Sequence, residues 1–327
     1  MSNIERLTKA GILTDPGVAE LVEKLSEKQL DFFIKSKNKP LILQKIHFKS
    51  FQPKIEIKTD MEKRKSIQDF INILNSRFSL LQRILMSKSK DSNLVSIKSA
   101  SEGNISIIGL IKTISENNGI FRTELEDQTG TIKASVPKNL PGKFERFFLD
   151  EVVQISGRFS SGVLYAEKIE WPDIQLTEYK KPDTTSTVFI CFSSSIITLP
   201  EKADSCNIII SNQPVQATFQ QAITITNTSA AKINGINLLF YMENVKETTD
   251  KFSITEKEFI LECLKRRHFL KEPCLQSGII EEQPDYFIFQ TQTPFTDSYR
   301  GTMIIGLPKE TFCLLDFVDR SAEFGTI

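Results

Sequence analysis

Metal-dependent or nucleophilic chemistry needs imidazoles, carboxylates or thiolates in close register, and this chain is poor in the first of these. Its 327 residues include two histidines, His47 and His268. Five cysteines, Cys191, Cys206, Cys263, Cys274 and Cys313, are scattered with no close CxxC pair, so buried free thiols are expected rather than a zinc site. His268 follows Arg266 and Arg267 near the expected C-terminus of a helix, where a cation would cap carbonyls. Asp204, Asp285 and Asp297 stand apart, and isolated acids are usually solvated or paired. For contact with nucleic-acid phosphates the candidates are Lys112, Arg122 and Lys133 beside Phe121 and Tyr165, together with Arg266 and Arg267. The plainer alternative for the first group is barrel core and a wet, charged face.

Composition narrows the function classes. Forty-one basic and forty-one acidic residues cancel, which removes the global positive field of a stand-alone nucleic-acid binder. No apolar run approaches the roughly 18 residues of a membrane span, and the first residues carry charges where a signal peptide is apolar. A soluble intracellular protein without membrane contact is expected.

The elements that must position these residues fall into four stretches. Residues 1–45 read as a small helical module: Thr14-Asp15-Pro16 has the form of a helix start, and Val18, Leu21, Val22 and Leu25 share a face. Residues 46–95 open with a basic linker, Lys45 to Lys65, then form a helix over about 66–86. Its Ile67, Phe70, Ile71, Leu74, Phe78, Leu81 and Leu85 make one apolar stripe. Over residues 96–176, five short strands with tight turns at Asn118-Gly119 and Asp127–Gly130 predict a closed barrel of the OB type. Residues 184–327 hold apolar runs at 188–191, 207–210, 236–241, 286–289 and 303–305. One helix is expected there over 255–266, with capping-box spacing from Ser253 to Glu256. A mixed α/β or β-rich domain follows.

The middle of the chain resembles a known family. Ile108-Gly109-Leu110-Ile111, Glu124–Asp127, Thr129-Gly130 and Asp150-Glu151-Val152 look like the OB domain of the small subunits of archaeal family-D DNA polymerases. Those proteins are relatives of the B subunits of eukaryotic replicative polymerases. Trp171-Pro172-Asp173-Ile174 resembles the junction from that barrel into a calcineurin-like phosphoesterase domain. Arg77-Phe78, Leu81, Ile84-Leu85, Leu264–His268, Pro284-Asp285 and Tyr299-Arg300-Gly301 follow in the family's order. The resemblance implies a multidomain α+β fold: N-terminal helices, a five-stranded OB barrel and a reduced phosphoesterase-type α/β domain.

It also implies where two metal ions would sit in an active member, and there the chain departs from the pattern. The family's Asp-x-His falls at Phe192-Ser193-Ser194. Its Gly-Asn-His-Asp falls at Ser211–Pro214, where only Asn212 is kept. Its Tyr-His-Gly falls at Tyr241-Met242-Glu243, and its late Gly-His-x-His at Gln290–Thr293, with Thr291 and Thr293 in place of the imidazoles. Phe192, Ser194, Asn212, Met242, Thr291 and Thr293 therefore mark a degenerate metal motif, with no metal, cofactor or catalytic residue implied. The expected function is that of a non-catalytic small subunit, scaffolding or regulating a large polymerase catalytic chain and meeting DNA through the complex. It would work in an archaeal-type cytoplasm, or in a nucleus if eukaryotic. The alternatives are an active 3′–5′ exonuclease subunit and a single-strand DNA-binding OB protein.

Overall fold

The computed structural model describes residues 2–23, 25, 27–35, 39–44, 54–59, 67–89, 93–140, 146–182, 187–194, 197–200, 202–203, 206, 208–215, 221–225, 228–243, 245–269 and 279–327. By internal contacts the chain forms two compact units. The first comprises Met1–Thr59, Glu178–Asn244 and Pro284–Ile327, and the second Asp60–Thr177 and Val245–Gln283.

The first unit opens with the helices α1 (Asn3–Lys9), α2 (Ala19–Glu23) and α3 (Glu27–Lys35) and the parallel pair β1 (Leu13–Thr14) and β2 (Ile42–Leu43). Ser2 and Glu5 close a capping box on α1, and Asp15 caps a short 3-10 turn, Pro16–Val18. Leu7, Ile12, Val18, Val22, Leu30, Phe33 and Leu43 make a core of their own. The expected basic linker is in part a strand, β3 (Ile55–Thr59), which pairs antiparallel with a strand from the C-terminal half. Its alternating Ile55 and Ile57 give the segment strand character that its charge count concealed. Apart from Lys54, the rest of that basic stretch, with His47, lies outside the described residues, as does Cys274.

Two sheets complete this unit. One runs in the order β11 (Gln221–Thr224), β10 (Ile208–Ser211), β9 (Thr187–Phe192), β17 (Thr311–Asp316), β18 (Ser321–Thr326). The other runs β15 (Phe295–Tyr299), β16 (Thr302–Pro308), β14 (Tyr286–Thr291), β13 (Ile236–Tyr241), β12 (Thr228–Ile233), β3. Val188, Ile190 and Phe192 from one sheet and Leu238, Phe240, Tyr286, Ile288 and Ile305 from the other share a single core. Successive strand residues point to opposite faces, so Phe189 and Cys191 fall on the outer side of β9, packed with Ile197, Ala203, Cys206 and Phe312. Burial on both faces explains why β9 reads as an unbroken apolar run. Each such side chain contributes roughly 1.5–3 kcal/mol relative to exposure.

The second unit is built on α4 (Ile67–Lys88) and the closed barrel β4 (Gly103–Asn117), β5 (Ile120–Asp127), β6 (Gly130–Pro137), β8 (Val163–Glu170), β7 (Val152–Ser160). The barrel order, with β6 and β8 parallel and every other pair antiparallel, is that of the OB fold. Asn118 and Gly119 both take positive φ, 52° and 72°, as a two-residue hairpin requires. Asp127 Oδ1 accepts from the N–H groups of Thr129 and Gly130 at 2.6 and 3.0 Å and so shapes the next turn. Opposite a bulge in β8, a Cβ on Gly157 would meet the Tyr165 carbonyl oxygen at 2.0 Å; glycine alone permits that approach. From α4, Phe78, Leu81 and Leu85 pack on Ile108 and Val152, whereas Ile71 in the same stripe is exposed.

Residues 245–283 supply α5 (Lys246–Phe252) and α6 (Glu256–Arg266) to this second unit. The expected uninterrupted domain over 184–327 is therefore broken. Strands β13 and β14 are parallel neighbours, and a parallel pair needs a long crossover; this one carries its helices into the barrel unit. The capping box also lies two residues later than its sequence spacing suggests, at Thr255 and Glu258, because Ser253 is the left-handed C-cap of α5. Among the described residues no helix is long and apolar enough to cross a membrane.

Candidate functional site

Three places hold the residues singled out from the sequence, and each lies within one unit. The first is at the C-terminal ends of β9 and β10. These strands pair in parallel with Cys191 opposite Ser211, so Phe192-Ser193-Ser194 and Asn212 emerge side by side. Asn212 Oδ1 accepts from the Ser193 N–H at 2.8 Å, and its Nδ2 donates to the Ser193 carbonyl at 2.7 Å. Glu310, which the sequence did not signal, completes the arrangement. Its carboxylate accepts from Ser193 Oγ (2.9 Å), the Ser194 N–H (2.8 Å) and Ser194 Oγ (2.7 Å). The Ser194 N–H and the two hydroxyls hold the Glu310 carboxyl below the usual carboxylate range. Phe192 points into the core between the sheets, fully buried.

The equivalent positions on the second sheet follow the same logic. Tyr241 pairs with Phe289 across β13 and β14, which sets Met242 beside the end of β14. Met242 packs against the apolar core. Thr291 is buried, and its Oγ1 donates to the Thr293 carbonyl at 2.9 Å; Thr293 is exposed. Asp285 accepts from the Asn237 N–H at 2.8 Å, and Asp297 Oδ1 from the Ser298 N–H at 2.8 Å. Asp204 lies outside the described residues. Among the described residues no three His, Cys, Asp or Glu side chains converge. Cys191, Cys206, Cys263 and Cys313 are buried thiols, and burial pushes Cys191 and Cys313 up to about 12.

The second place is a buried ionic cluster in the barrel unit. Glu151, just before β7, is fully buried. One carboxylate oxygen accepts from the Phe148 N–H at 2.9 Å. The other accepts from Trp171 Nε1 at 3.0 Å and from Arg266 Nη1. Arg266, in the last turn of α6, also donates from Nε to Glu262 at 2.6 Å and from Nη2 to the Arg146 carbonyl at 3.1 Å. Its guanidinium lies 4.8 Å from the Phe148 ring centroid and 4.9 Å from that of Trp171, and Lys265 Nζ lies 4.4 Å from the Trp171 centroid.

Burial sets the electrostatics of this cluster. It pushes the Glu151 carboxyl above the usual range, although Arg266 and the Phe148 and Trp171 N–H groups pull the other way. Burial also opposes ionisation of Arg266 and Glu262. For those two it is outweighed, since Glu151 and Glu262 raise Arg266 while Arg266 and Lys265 lower Glu262.

Arg267 takes the left-handed position that ends α6, at φ 50°. Its side chain donates to the carbonyls of Pro172, Ile280 and Glu281 at 3.0–3.1 Å. Arg266 is 3% exposed and Arg267 6%. The expectation that they touch DNA is therefore corrected: both guanidinium groups are spent inside the protein. Their burial was hidden because Glu151 lies 115 residues away in sequence. His268 is corrected in the same way. Burial, with Arg266 and Arg77 nearby, pushes it down to about 4, so it is neutral near pH 7 and caps nothing as a cation. The carbonyls of Cys263 and Leu264 are taken instead by the N–H groups of His268 and Arg267. His268 also borders a groove of about 330 Å³ lined by Phe78, Leu81 and Leu110.

The third place is the outer barrel face. Lys112 pairs with Glu126 at 3.5 Å, and Lys133 sits opposite Glu124 in register. Phe121 is barrel core. Arg122 and Tyr165 are exposed.

No family model matches the chain. The DNA polymerase II small subunit of Pyrococcus abyssi is 30% identical over 151 residues, 44% of this chain and 24% of that protein. The protein of the same name from Archaeoglobus fulgidus is 32% identical over 120 residues, 34% and 22% of the two chains. That of Thermoplasma acidophilum is 27% identical over 186 residues, 53% and 38%. The chain is similar to archaeal DNA polymerase II small subunits, and its alignment spans about a quarter of the length of the P. abyssi protein. Among solved structures, asparaginyl-tRNA synthetase from Pyrococcus horikoshii aligns at 22% identity over 21% of this chain and 20% of its own, with a TM-score of 0.20. At that level the likeness supports no inference.

Proposed function

We propose, from the chain's similarity to archaeal DNA polymerase II small subunits, that it is a non-catalytic small subunit which scaffolds or regulates a large polymerase catalytic chain. The observation that carries the reading is identity of about 30% over 151 residues. A second feature supports it. Segments that resemble the family, Asp150–Val152, Trp171-Pro172 and Leu264–His268, meet in one buried cluster. The resemblance thus falls on residues that hold the barrel to its helices.

In the same reading the two-sheet unit is a reduced calcineurin-like phosphoesterase domain. Two divalent ions in such a site generate hydroxide and clamp a phosphate, and they need several carboxylate or imidazole ligands. The donors at the corresponding strand ends are serine and threonine hydroxyls, the amides of Asn212, Gln290 and Gln292, and the carboxylates of Glu243 and Glu310, with no imidazole and no three acids converging among the described residues. Asn212 and Glu310 already satisfy the Ser193 and Ser194 donors, and Phe192 is turned into the core. That set does not fit a dinuclear centre. The purified chain, incubated with manganese and a labelled single-stranded oligonucleotide, should leave the oligonucleotide intact. Cleavage abolished by chelator would replace this reading with that of an active exonuclease subunit.

A further inference from the structure

Strand register lays one continuous row of outward positions across the barrel strands. Asn104 on β4 pairs with Arg158 on β7, Arg158 with Tyr165 on β8, Tyr165 with Ser135 on β6, Ser135 with Arg122 on β5, and Arg122 with Ser115 on β4. Paired residues on neighbouring strands point to the same face. The row carries two guanidinium groups and one aromatic side chain, and no carboxylate. Tyr165 is 50% exposed, and Arg122 and Arg158 are exposed too. Among the described residues neither arginine makes an ion pair, whereas Lys112, Lys138 and Lys168 on the same barrel are paired with Glu126, Glu116 and Glu170.

The surroundings sharpen this row. On one side Lys133 is set opposite Glu124 in register, so that position adds no net charge. On the other, Glu167 is an exposed acid in the bulged part of β8. The uncompensated positive charge is thus confined to the Arg122–Tyr165–Arg158 row. Strands lie about 4.8 Å apart, so the arginines, three strands apart, are separated by roughly 14 Å of curved surface, with the tyrosine between them. An exposed aromatic flanked by cations is the arrangement that holds a single strand, with bases on the ring and phosphates on the guanidiniums. A duplex buries its base faces and has no use for the tyrosine.

We infer that the Arg122–Tyr165–Arg158 row is a binding site for single-stranded nucleic acid, a short and weak one because two cations carry it. The inference is independent of the polymerase reading, since it rests on register and exposure alone. The test is fluorescence anisotropy of the full chain with a labelled oligodeoxythymidylate. Two neutralised phosphates give a slope of log K against log salt of about −1.4. Arg122→Gln with Arg158→Gln should flatten that slope towards zero. Tyr165→Ser should weaken binding about 5- to 100-fold while leaving the slope in place, because stacking and charge are separate contributions. Tyr165→Phe should bind like the parent, and so should Lys232→Gln in the other unit, which also controls for net charge. The inference is overturned if the parent shows no binding at low salt, if duplex competes as well as single strand, or if the double arginine variant and Tyr165→Ser bind like the parent.

Discussion

Replacing Arg266 by methionine tests the ionic cluster most sharply, because the change leaves Glu151 fully buried with two N–H donors and no counter-charge. Removing one partner of a buried pair costs about 3–5 kcal/mol, a large fraction of the roughly 5–15 kcal/mol that holds a domain folded. The deficit should depend on pH in a direction that the burial of Glu151 sets. Its folded carboxyl already sits above the ordinary range, and losing the guanidinium raises it further. The folded variant then keeps a proton that the unfolded chain has released. Its stability, relative to the parent at the same pH, therefore falls as pH climbs from the parent's folded value, itself above the ordinary glutamate value of about 4.3, to the variant's still higher one, at up to about 1.4 kcal/mol per pH unit.

The assay is urea unfolding followed by tryptophan emission. Trp171 is the one tryptophan of the chain and lies inside the cluster, so the signal reports this unit. Arg266→Met should show its largest deficit near pH 8 and its smallest near pH 5. Adding Glu151→Gln, which still offers an acceptor to Trp171 and Phe148, should recover most of the loss, since replacing both members of a buried pair is often close to neutral. A double variant as unstable as the sum of the singles, with a deficit flat in pH, would refute the reasoning.

Further outcomes follow from other sites. His268, pushed down to about 4, should stay neutral through pH 5.5–8 by NMR, and a titration near 6.5 would contradict its burial. Because the unfolded chain binds that proton first, the parent should lose about 3 kcal/mol between pH 6.5 and 4, a loss that His268→Gln should reduce. Phe192→Asp, which restores the acid of the family motif, should place a carboxylate in the core between the sheets. It should cost at least about 3 kcal/mol by the lost burial alone, with no manganese-dependent cleavage gained; a stable and active variant would overturn the placement of Phe192. Glu310 sits below the usual carboxylate range. The ordering it confers on Ser194 should be complete above the unfolded glutamate value and lost as pH drops through the folded one. Glu310→Ala should speed hydrogen exchange at the Ser194 amide at neutral pH, and unchanged exchange would refute the clamp.

How much of this was readable from residues differs by unit. The barrel was legible because its strands alternate and its turns use Asn118-Gly119 and Asp127–Gly130, all local signals. The stripe of α4 was legible for the same reason, although Ile71 shows that periodicity does not say where a stripe stops being covered. The sheets were half legible. Strands β9, β10, β13, β14 and β16 are dense apolar runs, whereas β12, with Thr228, Ser229, Ala230, Ala231 and Lys232, has weak strand character alone and is held by pairing on both sides. The Arg266-Arg267-His268 segment was visible as a motif, but its meaning depends on Glu151 and Pro172, far away in sequence. The hint lay in Glu151 itself, an acid set against Val152 and Val153 at the start of a buried strand. Glu310 offered no hint, since a glutamate after lysine in a two-residue connection between strands reads as solvated surface.

Isolation of the full chain from its native host under non-denaturing conditions tests the central claim most directly. The account predicts that it elutes in fixed proportion with a large chain identified by mass as a DNA polymerase catalytic subunit. Elution of the chain by itself, with no polymerase chain in the same peak, would contradict it.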